Sequence, residues 1–300
     1  MAILAKAVCP CFLAVSFLNI NWLTLPLIQK EFINMHVISL LLLFFSFSNI
    51  AVAETSNTSH AGKWFFSWGY NRGFYQNSDV SLHGTDQNGV PFDYTLHNTA
   101  AHDEQSDPSF QLLFPDITIP QTNERLGYYL DETHRINFGV DHMKYVITQG
   151  QTVPISGTNI TCGLCTSGTQ TITPAYMEYE HTDGLNYISI GYEVLYPFWE
   201  NSLFKLSAVQ GPDAGIVYPK TNVTMAGAGQ LRHDDFNIAG YGAAYKVGLV
   251  ADIGKNWFLQ LDFKEGLLNM PWIRIDNNPS DGASQKIQFF EGILALGYVF

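Results

Sequence analysis

From Lys63 to the end of the chain, large apolar side chains recur at every second position, in segments separated by turn-forming residues. The last segment, Lys286 to Phe300, carries the pattern most clearly. Phe290, Gly292, Leu294, Leu296, Tyr298 and Phe300 share one parity; Glu291, Ile293, Ala295, Gly297 and Val299 share the other. Strand side chains alternate between faces. One face of this strand is therefore large and apolar, while the other is mostly small and carries a charge. A soluble sheet would turn the bulky face onto a core. A transmembrane barrel turns it to lipid and keeps small or polar residues in the lumen.

Eight such strands are predicted. The first spans Lys63–Tyr75, with Trp64, Phe66, Trp68 and Tyr70 outward and Phe65, Ser67, Gly69 and Asn71 inward. The next three are placed at Thr122–Leu130, His134–Ile147 and Asn186–Tyr196, the last with Ile172–Glu180 as an extension above the membrane. A fifth starts near Leu203. Asn237–Asp252, Trp257–Ile275 and the C-terminal segment complete the set. Short connections at 131–133, 197–202 and 253–256 alternate with long ones at 76–121, 148–171, 217–236 and 276–285, the asymmetry of periplasmic turns and extracellular loops. The predicted fold class is all-β, a transmembrane antiparallel up-and-down β-barrel of eight strands. Ten is the alternative if Val80–His83 and Phe92–Asn98 pair as a further hairpin in or above the membrane.

The front of the chain is read as a leader, residues 1–53, followed by a barrel domain, residues 54–300. Residues 37–50 form an apolar run of signal-peptide length, and Ala51-Val52-Ala53 follows as an A-x-A cleavage site. Met35 is the expected true start, with a long bipartite leader as the alternative. The formal net charge is −12, and the leader carries more basic than acidic residues, so the barrel domain is more acidic still. That balance excludes a nucleic-acid footprint. Abundant aromatics suit the interfacial girdles of a barrel.

The inward parity collects Arg125, Arg135, Lys205, Lys246 and Lys264 against Asp141, Glu193, Asp252, Asp262 and Glu291. An eight-stranded barrel is just wide enough for side chains to fill it. Ions held there are costly unless paired. A balanced set therefore predicts a polar plug of ion pairs, the alternative being a gated ion conduit.

Candidate chemistry is sparse. The first long loop holds Asp79, His83, Asp86, Asp93, His97, His102, Asp103, Glu104 and Asp107. It contains no tight metal spacing such as H-E-x-x-H, so no metal or cofactor is expected. Solvated acid groups here would bridge to lipopolysaccharide phosphates through divalent cations. His97, His102 and His142 are the candidates for an acyl hydrolase acting with a Ser or a carboxylate. His142 is alternatively a rim residue where its strand leaves the membrane. Cys162 and Cys165 are expected to form a local disulfide, since the periplasm is oxidising.

A terminal strand ending in Phe300, with Tyr298 two before it, resembles the closing strand of Gram-negative outer-membrane β-barrels. The resemblance implies an outer-membrane location, and that Tyr298 and Phe300 form the signal read by the barrel-assembly machinery. Trp64–Arg72 (WFFSWGYNR) and Gly139–Tyr145 (GVDHMKY) resemble segments of a group of uncharacterised proteobacterial outer-membrane proteins, which brings no activity with it. The expected function is a barrel with a plugged polar lumen and long extracellular loops, in a structural or surface-interaction role. The alternative is an outer-leaflet lipid-modifying enzyme or a channel for a small apolar ligand.

Overall fold

The structure is a computed structural model that describes residues 59–86, 88–104, 121–158, 168–182, 184–225 and 236–300. The leader and its cleavage site lie outside the described residues, as do Cys162 and Cys165. Among the described residues every regular element is a β-strand. Eight of them close a ring: β1 (Trp64–Tyr75), β5 (Thr122–Tyr129), β6 (His134–Met143), β11 (Leu185–Glu200), β12 (Phe204–Pro219), β14 (Gly240–Ile253), β15 (Trp257–Arg274) and β16 (Gly282–Val299). Each pairs antiparallel with its neighbours, and β16 returns to β1 from Phe65↔Val299 to Tyr75↔Phe289. The ends meet at the turn side, where Phe300 and Trp64 exchange backbone hydrogen bonds of 2.8 and 3.1 Å.

The outer wall carries the bulky parity. Trp68, Phe138, Ile190, Phe263 and Leu294 are all more than half exposed. So much apolar surface would be unfavourable in water but matches hydrocarbon, and a closed ring gives every one of its strands a partner on both sides. Tyr298 packs edge-on against Trp257 at 4.9 Å, beside the exposed Phe300. A closed antiparallel ring with this wall is the architecture of a Gram-negative outer-membrane β-barrel, and of this chain. The chain is accordingly an outer-membrane protein.

Above the ring the long connections fold into further sheet. β2 (Ser78–Thr85) and β3 (Pro91–Thr99) form a hairpin on the upper end of β16; β8 (Thr152–Thr158) and β9 (Thr169–Thr171) extend it. A separate sheet runs β13 (Asn222–Met225), β10 (Met177–Glu180), β7 (Val146–Ile147), β4 (Ala101–His102). The barrel strand predicted through Ile147 ends at Met143. Val146 and Ile147 pair instead in that second sheet, with Glu180 and with Ala101 and His102. The extension predicted at Ile172–Glu180 is not continuous with β11 either. Gly184, at φ 137°, breaks the path, so the chain enters β11 in a new direction.

Candidate functional site

The barrel interior is filled in three successive levels. At the turn end lies an aromatic and aliphatic cluster of Phe65, Tyr129, Leu195, Val209, Val250, Phe258 and Val299. Phe65 meets Phe258 and Tyr129 edge-on at 5.8 and 5.4 Å. Glycines make room for the rings. A Cβ on Gly297 would fall 2.0 Å from the Phe258 ring, and one on Gly127 2.3 Å from the Phe65 ring.

The middle level is ionic and organised around two carboxylates. Glu193 holds Arg135 and Lys246, both at 2.5 Å, and accepts a hydrogen bond from Asn137. Arg135 also donates to Tyr129 and Gln260, and its guanidinium lies 4.6 Å from the Phe65 ring centre. Asp141, fully buried, holds Arg125 and Lys264, both at 2.5 Å, with Asn123 on the same carboxylate. Lys264 reaches Asp213 at 3.0 Å, and Lys246 reaches Asp262 at 3.4 Å. Asp213 is absent from the set collected by parity although it shares the inward parity of Lys205 and Ser207, because faces on that strand are assigned from sequence only as far as Ala208.

Three residues of that set are not ion-paired inside. Lys205, beside the turn at the start of β12, is part-exposed and has no ion pair among the described residues. Its cross-strand neighbour Asp252 has the His60 ring nitrogen at 4.0 Å. Water at the barrel mouth solvates the long Lys205 side chain, which removes the need for a fixed anion. Glu291 is buried and forms no ion pair among the described residues. It accepts from Asn71 at 2.7 Å, and its second oxygen has no partner among the described residues.

The upper level is an apolar core shared by barrel and extracellular sheets. Tyr187, Leu268 and Phe289 come from the ring, Leu82, Leu96, Ile155, Tyr179 and Val223 from above it. Where β5 ends, Asp103 covers the open edge of β1: its carboxylate accepts from Gly73 N–H and Gln121 and faces Arg72 at 3.2 Å. Burial pushes this carboxyl up to about 6, against the opposing pull of the Gly73 N–H and Arg72. A raised folded value means the folded state holds more protons between the ordinary Asp range and about pH 6. The Asp103 contribution to stability therefore rises as pH falls through that window. Comparing thermal unfolding at pH 7 and pH 5, the parent is expected to gain more than D103N; equal gains would refute this.

The candidate histidines do not converge. His142, part-buried on β6, meets Asn186 at 2.7 Å. His102 contacts the Asp103 carbonyl at 2.7 Å. His97 lies on β3 between Asp79 of β2, 3.0 Å from Nδ1, and Ser156 of β8, 2.7 Å from Nε2. Ser156 had no signal in the sequence, being one hydroxyl among many in a long loop. No cluster of three metal-ligating side chains occurs among the described residues.

Three solved structures are similar in overall shape. The outer membrane protein AlkL is 16% identical, covering 84% of this chain and 96% of its own, with a TM-score of 0.37. The outer membrane protein OprG from Pseudomonas aeruginosa is 10% identical, covering 80% and 96%, with a TM-score of 0.38. Ail, the attachment invasion locus protein of Yersinia pestis, is 12% identical, covering 80% and 99%, with a TM-score of 0.31. No protein-family model and no curated protein matches the chain. The barrel assignment rests on the strand pairing and the apolar outer wall, not on these likenesses.

Proposed function

We propose that this outer-membrane barrel is a non-conducting platform whose role lies in surface contacts made by its extracellular sheets. The observation that carries the reading is the filling of the interior by aromatic, ionic and apolar levels in succession. A hydrated ion crossing them would need the central pairs to separate in a low-dielectric interior, at a cost of several kcal/mol per uncovered ion. Above the membrane, residues that would otherwise be solvated loop are built into sheets with a shared core. Such rigid elements present side chains in fixed positions, as a contact surface requires. Exposed carboxylates on this surface would meet lipopolysaccharide phosphates through divalent cations.

Two measurements test the reading. In planar bilayers the purified chain should give no conductance above the lipid background; steady ohmic steps would overturn the platform in favour of a pore. Proteoliposomes should bind lipopolysaccharide vesicles in calcium and release them in EDTA. Calcium-independent binding would remove the cation bridge and leave another class of surface contact.

A further inference from the structure

We propose that Asp79, His97 and Ser156 form a hydrolytic triad on the extracellular sheet, acting on short acyl esters of polar alcohols. Three adjacent strands supply one residue each. With His97 Nδ1–H donated to Asp79 at 3.0 Å, Nε2 is left as the acceptor for the Ser156 hydroxyl at 2.7 Å. That is the tautomer and spacing a serine nucleophile and its base require. The Asp79 carboxylate is fixed on its other oxygen by the Asn98 N–H at 2.8 Å.

The backbone departs from regular sheet beside each of the three. The β2–β3 register shifts between Ser78 and Val80, which re-aims Asp79. Asn98, next to His97, has φ 55°, the one non-glycine residue in the left-handed region among those described. Gly157, next to Ser156, has φ 135°. The opposite face of the same strands, with Val80, Leu96 and Ile155, is packed into the upper core, so the arrangement stands on a rigid base.

β9 covers β8 only from Thr152 to Pro154, and Ile155 N–H is donated outward to Gly168. Alternation then turns the Gly157 N–H to the side of β8 away from β3. The N–H following the nucleophile is a position from which an oxyanion can be met.

The surroundings select the substrate class. Ser81 and Thr95, hydrogen-bonded to each other at 2.8 Å, lie on the same polar face, with Asp93 and His83 further along it. Among the described residues no apolar wall flanks the triad to take a long chain, and the sheet stands on the extracellular end of β16. An acetylated sugar hydroxyl fits this setting; an ester inside the bilayer does not.

In the forward step Ser156 Oγ bonds to the acyl carbon as its proton passes to His97 Nε2. The carbon–oxygen bond to the alcohol then breaks, and the alcohol leaves with that proton. Water attacks the acyl-serine, giving a proton to His97, and the carboxylic acid departs as Ser156 recovers its hydrogen. Ser156 and His97 are the catalytic residues, and Asp79 is a positioning residue.

The test uses the full chain refolded in detergent, with a fluorophosphonate probe and 4-nitrophenyl acetate. The probe is expected on Ser156 by peptide mass spectrometry, with ester turnover lowered about 100-fold or more in S156A and H97A. D79N should lower kcat while leaving KM unchanged. Heat-modifiable migration on gels verifies that each variant is a folded barrel. Labelling of wild type no faster than S156A, or on another serine, would overturn the proposal.

Discussion

Replacing Asp141 by asparagine should destabilise the barrel by about 3–5 kcal/mol, the usual loss when one partner of a buried ion pair is removed. Asp141 is the shared anion for Arg125 and Lys264. Lys264 would keep Asp213, but Arg125 would retain only the carbonyls of Glu124 and Val140. An asparagine amide would also turn donor hydrogens toward cations. E291Q makes the opposite expectation concrete. Among the described residues Glu291 forms no ion pair and uses one oxygen, so glutamine keeps its shape and can retain the Asn71 contact. Its effect should stay within about 1 kcal/mol, the scale of one ordinary hydrogen bond. Urea unfolding in lipid vesicles, followed by tryptophan fluorescence, separates the two. Equal losses in D141N and E291Q would mean that the interior is held by packing alone, with the charge pattern incidental.

The second large effect is expected at the turn-end cluster. Phe258 is fully buried, lies edge-on to Phe65, and occupies the space left by Gly297. Truncation to alanine removes the ring and leaves a cavity, a loss of about 3–5 kcal/mol. It also withdraws one of the aromatic faces around the Arg135 guanidinium. Yet F258A should remain non-conducting in bilayers, because the ion pairs of Glu193 and Asp141 and the outer apolar core still fill the path. Stability and conductance therefore part company in this variant. An F258A barrel that conducts would make the aromatic level the sole seal and would weaken the platform reading.

Strand faces were legible because lipid and lumen impose opposite demands on neighbouring residues. Trp64, Phe66 and Trp68 stand out against Phe65, Ser67 and Gly69 without any knowledge of partners. The hairpin of β2 and β3 was legible for a related reason: Val80 and Leu82 on one strand, Phe92, Tyr94 and Leu96 on the other, alternate with polar residues. What eluded the sequence depends on association at a distance. Val153 and Ile155 are two apolar positions in a polar loop, and they become core only because their strand pairs with β3 and β9. Ser156 is 59 residues from His97, and no spacing rule joins them. Charge parity likewise found most anions and cations of the lumen, Asp213 excepted, but not their pairing. Whether a carboxylate meets a cation depends on the stagger of strands around the ring, which leaves Glu291 with an amide and gives Lys264 two acids.

The closing strand has one more consequence. Its lower part zips to β1, and its upper part, Gly282 to Gln285, zips to β2, with the Gln76 N–H bonded to the Gln288 carbonyl between them. The first and last strands of the barrel are thus fastened along a seam that outruns the ring, with the extracellular hairpin as its clasp. A barrel parting at this seam would unfasten the hairpin as well as the wall. Opening the wall at this seam is therefore resisted by the extracellular hairpin as well, and the seam cannot be complete until that hairpin has folded.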